Sequence, residues 1–280
     1  MSTEIPTIEE ERKLDQNEKE IKLEEVAELE EPIKKIIEKI KDRIENGEYG
    51  LIIGDDASGR IPALILGNFI KKISEQKDFD RPNIIFIPGK LEKDDFWSVL
   101  FKSVVASKKQ HEELDDYLSK HGARKDKKIL IITDTLKTGY SLLTLIELLK
   151  RAGYGCDIAT IGIESPIPGQ DLKTNLRGID VFSGGYRDKT RDEDQNTPLI
   201  YKEEARKYTG VYKNPGDKIS KTFKSAALPE GVYPEDVNPE NIQTNIPRQQ
   251  IQESINKARE DAKVVTNHLI DWYESQKQGE

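Results

Sequence analysis

The chain has 280 residues, with 44 Lys+Arg against 52 Asp+Glu and a formal net charge of −8. That length is ample for one large domain or two small ones. The imbalance sits entirely in residues 1–31, which hold twelve acids and four bases; residues 32–280 are neutral, which disfavours a nucleic-acid binder.

No apolar run approaches the roughly 18 residues of a membrane span, and the start of the chain lacks the apolar core of a signal peptide, so no membrane partner is expected. A single cysteine, Cys156, suits a reducing cytoplasm. With only His111, His121 and His268 beside it, a zinc cage of His and Cys is excluded, and any metal is expected to be a hard ion held by oxygen.

Residues 1–31 read as a solvated, disordered acidic tail. A helix is expected from Pro32, carried by Ile33, Ile36, Ile37, Ile40 and Ile44 at helical spacing and stopped at Asn46-Gly47. Short apolar runs then predict strands over 49–54, 83–87, 128–133, 157–163 and 179–183. Helices are predicted between them over 61–73, 94–120 (one or two) and 141–151. Strands apolar throughout, alternating with helices, mean an α/β fold: a parallel sheet covered by helices on both faces. From residue 184 the pattern changes to a divergent C-terminal cap or tail, with a short helix over 203–208, a proline-rich stretch and a closing helix over 251–273. Three parts are expected: a tail over 1–31, a domain over 32–212, and a segment over 213–280.

Ligands of open parallel sheets bind beyond the carboxyl ends of the strands. The turn after the third strand, Thr133-Asp134-Thr135-Leu136-Lys137-Thr138-Gly139-Tyr140-Ser141, opens a helix. Backbone N–H groups there, the hydroxyls of Thr138 and Ser141 and a close-approach glycine suit a phosphate. Asp134 would repel a phosphate but can accept hydrogen bonds from sugar hydroxyls beside it, which describes a ribose 5-phosphate site. Simple capping of the helix by Thr138 and Ser141 explains the same residues equally well.

The stretch from Ile131 through Thr138-Gly139 to Arg151-Ala152-Gly153 resembles the phosphoribosyl-pyrophosphate (PRPP) motif of type I phosphoribosyltransferases. The turn Gly54-Asp55-Asp56-Ala57-Ser58-Gly59-Arg60 is similar to the pyrophosphate loop of adenine-type members. Arg60 there also reads as an ordinary solvated residue of a first helical turn. The resemblance spans about residues 32–183. It implies transfer of ribose 5-phosphate from PRPP to a nitrogen base of unidentified type, with Mg²⁺ as cofactor. A non-catalytic regulatory or scaffold protein that binds PRPP or a nucleoside 5′-monophosphate is the alternative, and a homodimer is allowed. The implied ligand-binding set is Thr133, Asp134, Thr135, Lys137, Thr138, Gly139, Tyr140 and Ser141, with Asp56, Ala57, Ser58, Gly59 and Arg60 on the pyrophosphate side. Asp134 and Arg60 are the expected catalytic residues, and Asp134 and Asp188 the expected metal ligands.

The chain departs from the family in several places. Thr133 replaces the first of two acids, so Thr133→Asp is expected to lower the melting temperature of the free protein, because adjacent carboxylates repel, and to tighten PRPP binding. Lys137 stands where 6-oxopurine enzymes carry an acid, Tyr140 replaces a small residue, and residues 94–120 lack the pattern of a mobile catalytic loop. Phe182 or Tyr186, in a Gly-Gly turn after the last strand, offers a ring to a base or simply packs.

Overall fold

The computed structural model describes residues 20–55, 59–87, 108–136, 139–164, 176, 178–187, 211–212, 221–222 and 248–278. The helix predicted from the isoleucine spacing is α2 (Glu30–Glu45), preceded by one turn, α1 (Glu24–Ala27). After it come β1 (Tyr49–Asp55), α3 (Arg60–Gln76), β2 (Asn83–Ile87), α4 (Lys108–Lys120), β3 (Lys128–Leu136), α5 (Tyr140–Arg151) and β4 (Cys156–Glu164). Three short strands, β5 (Val181–Ser183), β6 (Tyr186–Arg187) and β7 (Val211–Tyr212), lead to β8 (Lys221–Thr222) and the closing helix α6 (Arg248–Gln278). The helix expected over 203–208 and the first part of the one over 94–120 lie outside the described residues.

Five parallel strands form the sheet in the order β2-β1-β3-β4-β5, and β6 joins the far end of β4. Strand alternation divides the core into two layers. Ile52, Leu130, Ile132, Ala159 and Ile161 face α2, α3 and α6, while Leu51, Ile53, Ile129, Ile131 and Ile158 face α4 and α5. Both faces are covered, which is why the strands carry apolar residues at successive positions. Among the described residues no helix is long and apolar enough to cross a membrane.

At the amino ends of the strands a buried carboxylate ties three elements together. Asp157, 1% exposed, accepts from Tyr49 Oη at 3.1 Å and from Lys128 Nζ at 3.2 Å, and it pairs with Arg43 of α2. Arg43 also donates to Asp180 at 2.6 Å, ahead of β5. Burial, reinforced by the Asp157 charge, pushes the Tyr49 hydroxyl far above its ordinary range. The network belongs to the end of the sheet away from the strand-to-helix turns.

One expectation needs correction. Residues 20–31 are not a solvated tail: Leu23, Val26 and Leu29 are buried in the same core as α2 and α3. Three apolar positions look too few when the segment is read alone. Here α6, from the other end of the chain, completes their surroundings, and its buried Asp261 accepts the Leu23 N–H at 2.8 Å. The glutamates between them point outward or lie at the rim. Helix α6 runs along α3, with the Thr266 hydroxyl on the Ile65 carbonyl at 3.3 Å and Tyr273 edge-on to Phe69 at 5.3 Å. Its Ala258, Ala262, Val265 and Leu269 are part of the core rather than an appended unit.

Candidate functional site

In a sheet ordered 2-1-3-4-5 the chain moves outward to β2 from one side of β1 and to β3 from the other. The crevice at the carboxyl ends of β1 and β3 is therefore the topological switch point, where such sheets bind ligands. The two turns singled out in the sequence leave from these two strands. Each hands over to a helix whose N-cap is a glycine, Gly59 for α3 and Gly139 for α5. Neither cap has a side chain to satisfy the first-turn N–H groups, and both helix starts carry the positive end of the helix dipole.

Glycine is required at both caps, for different reasons. A Cβ on Gly59 would lie 2.4 Å from the Ile132 carbonyl oxygen and 2.7 Å from the backbone of Asp55. Gly59 thus sits against the end of β3, with its N–H on the Asp55 carbonyl at 2.8 Å. Gly139 has a φ of +73°, in the left-handed region, and a Cβ there would press on Leu176 at 3.1 Å.

The acidic groups meet at the end of β3. Thr133 is 2% exposed, and its hydroxyl donates to Asp55 Oδ2 at 3.2 Å, with Asp134 Oδ1 at 3.5 Å. Asp134 is half-buried; its carboxylate accepts the Thr135 N–H at 2.5 Å, and its carbonyl accepts the hydroxyl of the buried Thr160 at 3.1 Å. Asp134 is thus fixed by β3 and β4 together. Thr133 is buried, and its hydroxyl is engaged by Asp55.

Arg60, at the head of α3, lies over the ring of Phe86 on β2 with Cζ 4.8 Å from the centroid. Tyr140 and Ser141 form the first turn of α5. Asp56, Ala57, Ser58, Lys137, Thr138 and Asp188 lie outside the described residues.

Neither a protein-family model nor a curated protein matches the chain. Among solved structures it is similar to a purine phosphoribosyltransferase from Pyrococcus horikoshii Ot3, with 19% identity over 55% of this chain and 82% of that one, at a TM-score of 0.32. An adenine phosphoribosyltransferase from Thermoanaerobacter pseudethanolicus is similar at 16% identity over 54% of this chain and 78% of that one, with a TM-score of 0.29. A further adenine phosphoribosyltransferase matches at 14% identity, 54% and 79% coverage, and a TM-score of 0.28.

Thr160 and Phe86 lie beside the site without any mark in the sequence, and Asp55 is marked there only as part of the first turn. Asp55 is legible as the last residue of an apolar strand, but its pairing with Thr133 depends on the β1–β3 register. Thr160 and Phe86 sit inside ordinary strand patterns, where no local signal distinguishes them. Beyond them, Tyr186 is 60% exposed and stands in one row with Ile163 and Leu136 at the carboxyl end of the sheet. Its turn is gripped from α2: Lys39 Nζ reaches the Ser183 carbonyl at 2.6 Å, and a Cβ on Gly184 would lie 2.5 Å from the Pro32 carbonyl oxygen.

Proposed function

We propose that the chain binds a ribose 5-phosphate unit in the crevice between β1 and β3 and transfers it from PRPP to a nitrogen base. The observation that carries this reading is the meeting of two glycine-capped helix starts at the switch point, with Asp134 beside them. One helix start suits the 5′-phosphate and the other the pyrophosphate, and Asp134 accepts the ribose hydroxyls between. In the reaction the bond from the anomeric carbon to the pyrophosphate oxygen breaks, the base nitrogen bonds to that carbon, and the proton that the nitrogen gives up passes to the departing pyrophosphate or to water. The protein's work is to hold the two reactants together and to stabilise the departing charge, to which Arg60 contributes. Tyr186 offers its exposed ring to the base.

Among the described residues no group of three or more His, Cys, Asp or Glu could hold a metal by itself. We assign Mg²⁺ to the substrate's own oxygens and one or two carboxylates, with Asp134 and Asp188 as the proposed protein ligands. When bound, Mg²⁺ supplies neutralisation of the pyrophosphate charge.

A second reading, a non-catalytic binder of PRPP or a nucleoside 5′-monophosphate, is favoured by Thr133, which leaves the end of β3 with one carboxylate, that of Asp134. One experiment separates the two. Calorimetric titration with Mg²⁺–PRPP should show binding, weakened by Asp134→Asn about tenfold or more, the scale of a charged hydrogen bond. Pyrophosphate release with a panel of bases then identifies the enzyme, and binding without release the sensor. No binding at millimolar PRPP would remove both readings.

A further inference from the structure

Arg60 is supported by a part of the molecule outside either ligand loop. Phe86 is the partner of Gly54 in the β2–β1 register, and its ring packs against the core layer beneath α3. The ring occupies the space that a side chain on Gly54 would need: a Cβ there would lie 2.7 Å from Phe86 Cδ1 and 2.9 Å from the Ala63 Cβ. Gly54 and Ala63 thus leave a slot, Phe86 fills it, and the Arg60 guanidinium rests over the ring at 4.8 Å. A half-buried ring held between strand and helix is a rigid shelf, whereas an arginine at a helix start has many rotamers to choose from.

We infer that Phe86 is a positioning residue for the anion-binding arm of the site: it holds the Arg60 guanidinium in one place beside the head of α3, over the end of β2, before ligand arrives. The inference rests on the proposed anion-binding role of Arg60. It gives Gly54 a reason as well, since alanine there would displace the ring. Pre-ordering the guanidinium removes part of the entropy that anion binding would otherwise cost. A cation over an aromatic face at a partly exposed position is a small effect, so the change to look for is a few-fold one.

The test is calorimetric titration of the full chain with inorganic pyrophosphate and Mg²⁺. Phe86→Met keeps the volume and removes the face, and should weaken pyrophosphate binding by about two- to fivefold. Phe86→Tyr keeps the face and should bind as the wild type does. In an Arg60→Gln background, Phe86→Met should change nothing further, a result that general loosening of the core would not produce. Melting curves without ligand show whether each variant is folded. If Phe86→Met failed to fold, Phe86→Leu in both backgrounds would take its place. Wild-type affinity in Phe86→Met, with weakened binding in Arg60→Gln, would overturn the inference and leave the anion role standing. Unchanged binding in Arg60→Gln would overturn both, as would a wild-type protein that does not bind pyrophosphate.

Discussion

Thr133 and Asp55 join the carboxyl ends of β3 and β1: the hydroxyl of one donates to the carboxylate of the other at 3.2 Å, in a place closed to solvent on the threonine side. A carboxylate at the last position of a strand is costly to leave without donors, and this donor comes from the neighbouring strand.

Thr133→Val keeps the shape and removes the donor, and should cost about 1–3 kcal/mol in denaturant unfolding. Thr133→Asp is worse, because it sets a third carboxylate against Asp55 and Asp134 in a buried position. The expectation that this change tightens PRPP binding is therefore reversed. Thr133→Asp should melt well below the wild type and bind PRPP no more tightly, and tighter binding in calorimetry would show that residue 133 faces the ribose after all.

The Gly59 contact gives a second expectation. Alanine there must displace the Ile132 carbonyl or the turn itself, because its Cβ starts 2.4 Å from that oxygen. Gly59→Ala should lose about 1–3 kcal/mol, as overpacked sites do. Gly155→Ala is the control, since its Cβ meets nothing nearer than Lys128 Cγ at 3.8 Å. Equal melting temperatures for the two variants would mean that Gly59 does not sit against β3.

Starting the chain at Glu30 removes the buried Leu23, Val26 and Leu29 and orphans Asp261. Each of those apolar side chains stabilises by about 1.5–3 kcal/mol when fully buried. The shortened protein should melt lower by about 10 °C or more, judged by the few degrees per kcal/mol expected at this size. A shift of only a degree or two would return the segment to the status of a tail.

Glu45, the last residue of α2, anchors α6 by accepting from Tyr273 Oη at 2.7 Å and Lys277 Nζ at 2.9 Å. The Lys277 and Tyr273 hydrogen bonds hold its carboxyl down at about 2, against an ordinary 4.5. A depressed carboxyl contributes stability above its unfolded value and loses that contribution as pH falls through the folded one. The wild type should therefore lose stability on acidification from about pH 4.5 to about 2, and part of that slope should vanish in Glu45→Gln. Urea midpoints measured across this range for both proteins give the comparison, and parallel curves would rule out Glu45 as a contributor.

The sheet was legible because each buried strand shows itself locally, as in Leu51-Ile52-Ile53 or Ile129 to Ile132, and because turns punctuate them. The third-strand turn was legible for the same reason, with Asp134 and Gly139 a few residues apart. What could not be read were relations between distant positions. Leu23, Val26 and Leu29 become core only when α6 arrives more than two hundred residues later. In the sequence Thr133 is marked only by its place in a motif, whereas its burial and its tie to Asp55 depend on register between two strands. Arg60 was visible as a charged residue at a helix start, but the Phe86 beneath it is one more apolar residue in a strand.

The position of α6 also bears on how the protein is made. Helix α3, which carries Gly59 and Arg60 at its head, has one flank covered by residues that follow it by nearly two hundred positions. On the ribosome that flank, with Phe69 and Ile65 along it, stays open until residues 248–278 have emerged. Co-translational folding can assemble the strands in order but must wait for the last helix before the first ligand turn is braced. A nascent chain stalled before residue 248 should accordingly be protease-sensitive along α3 and a client for holding chaperones.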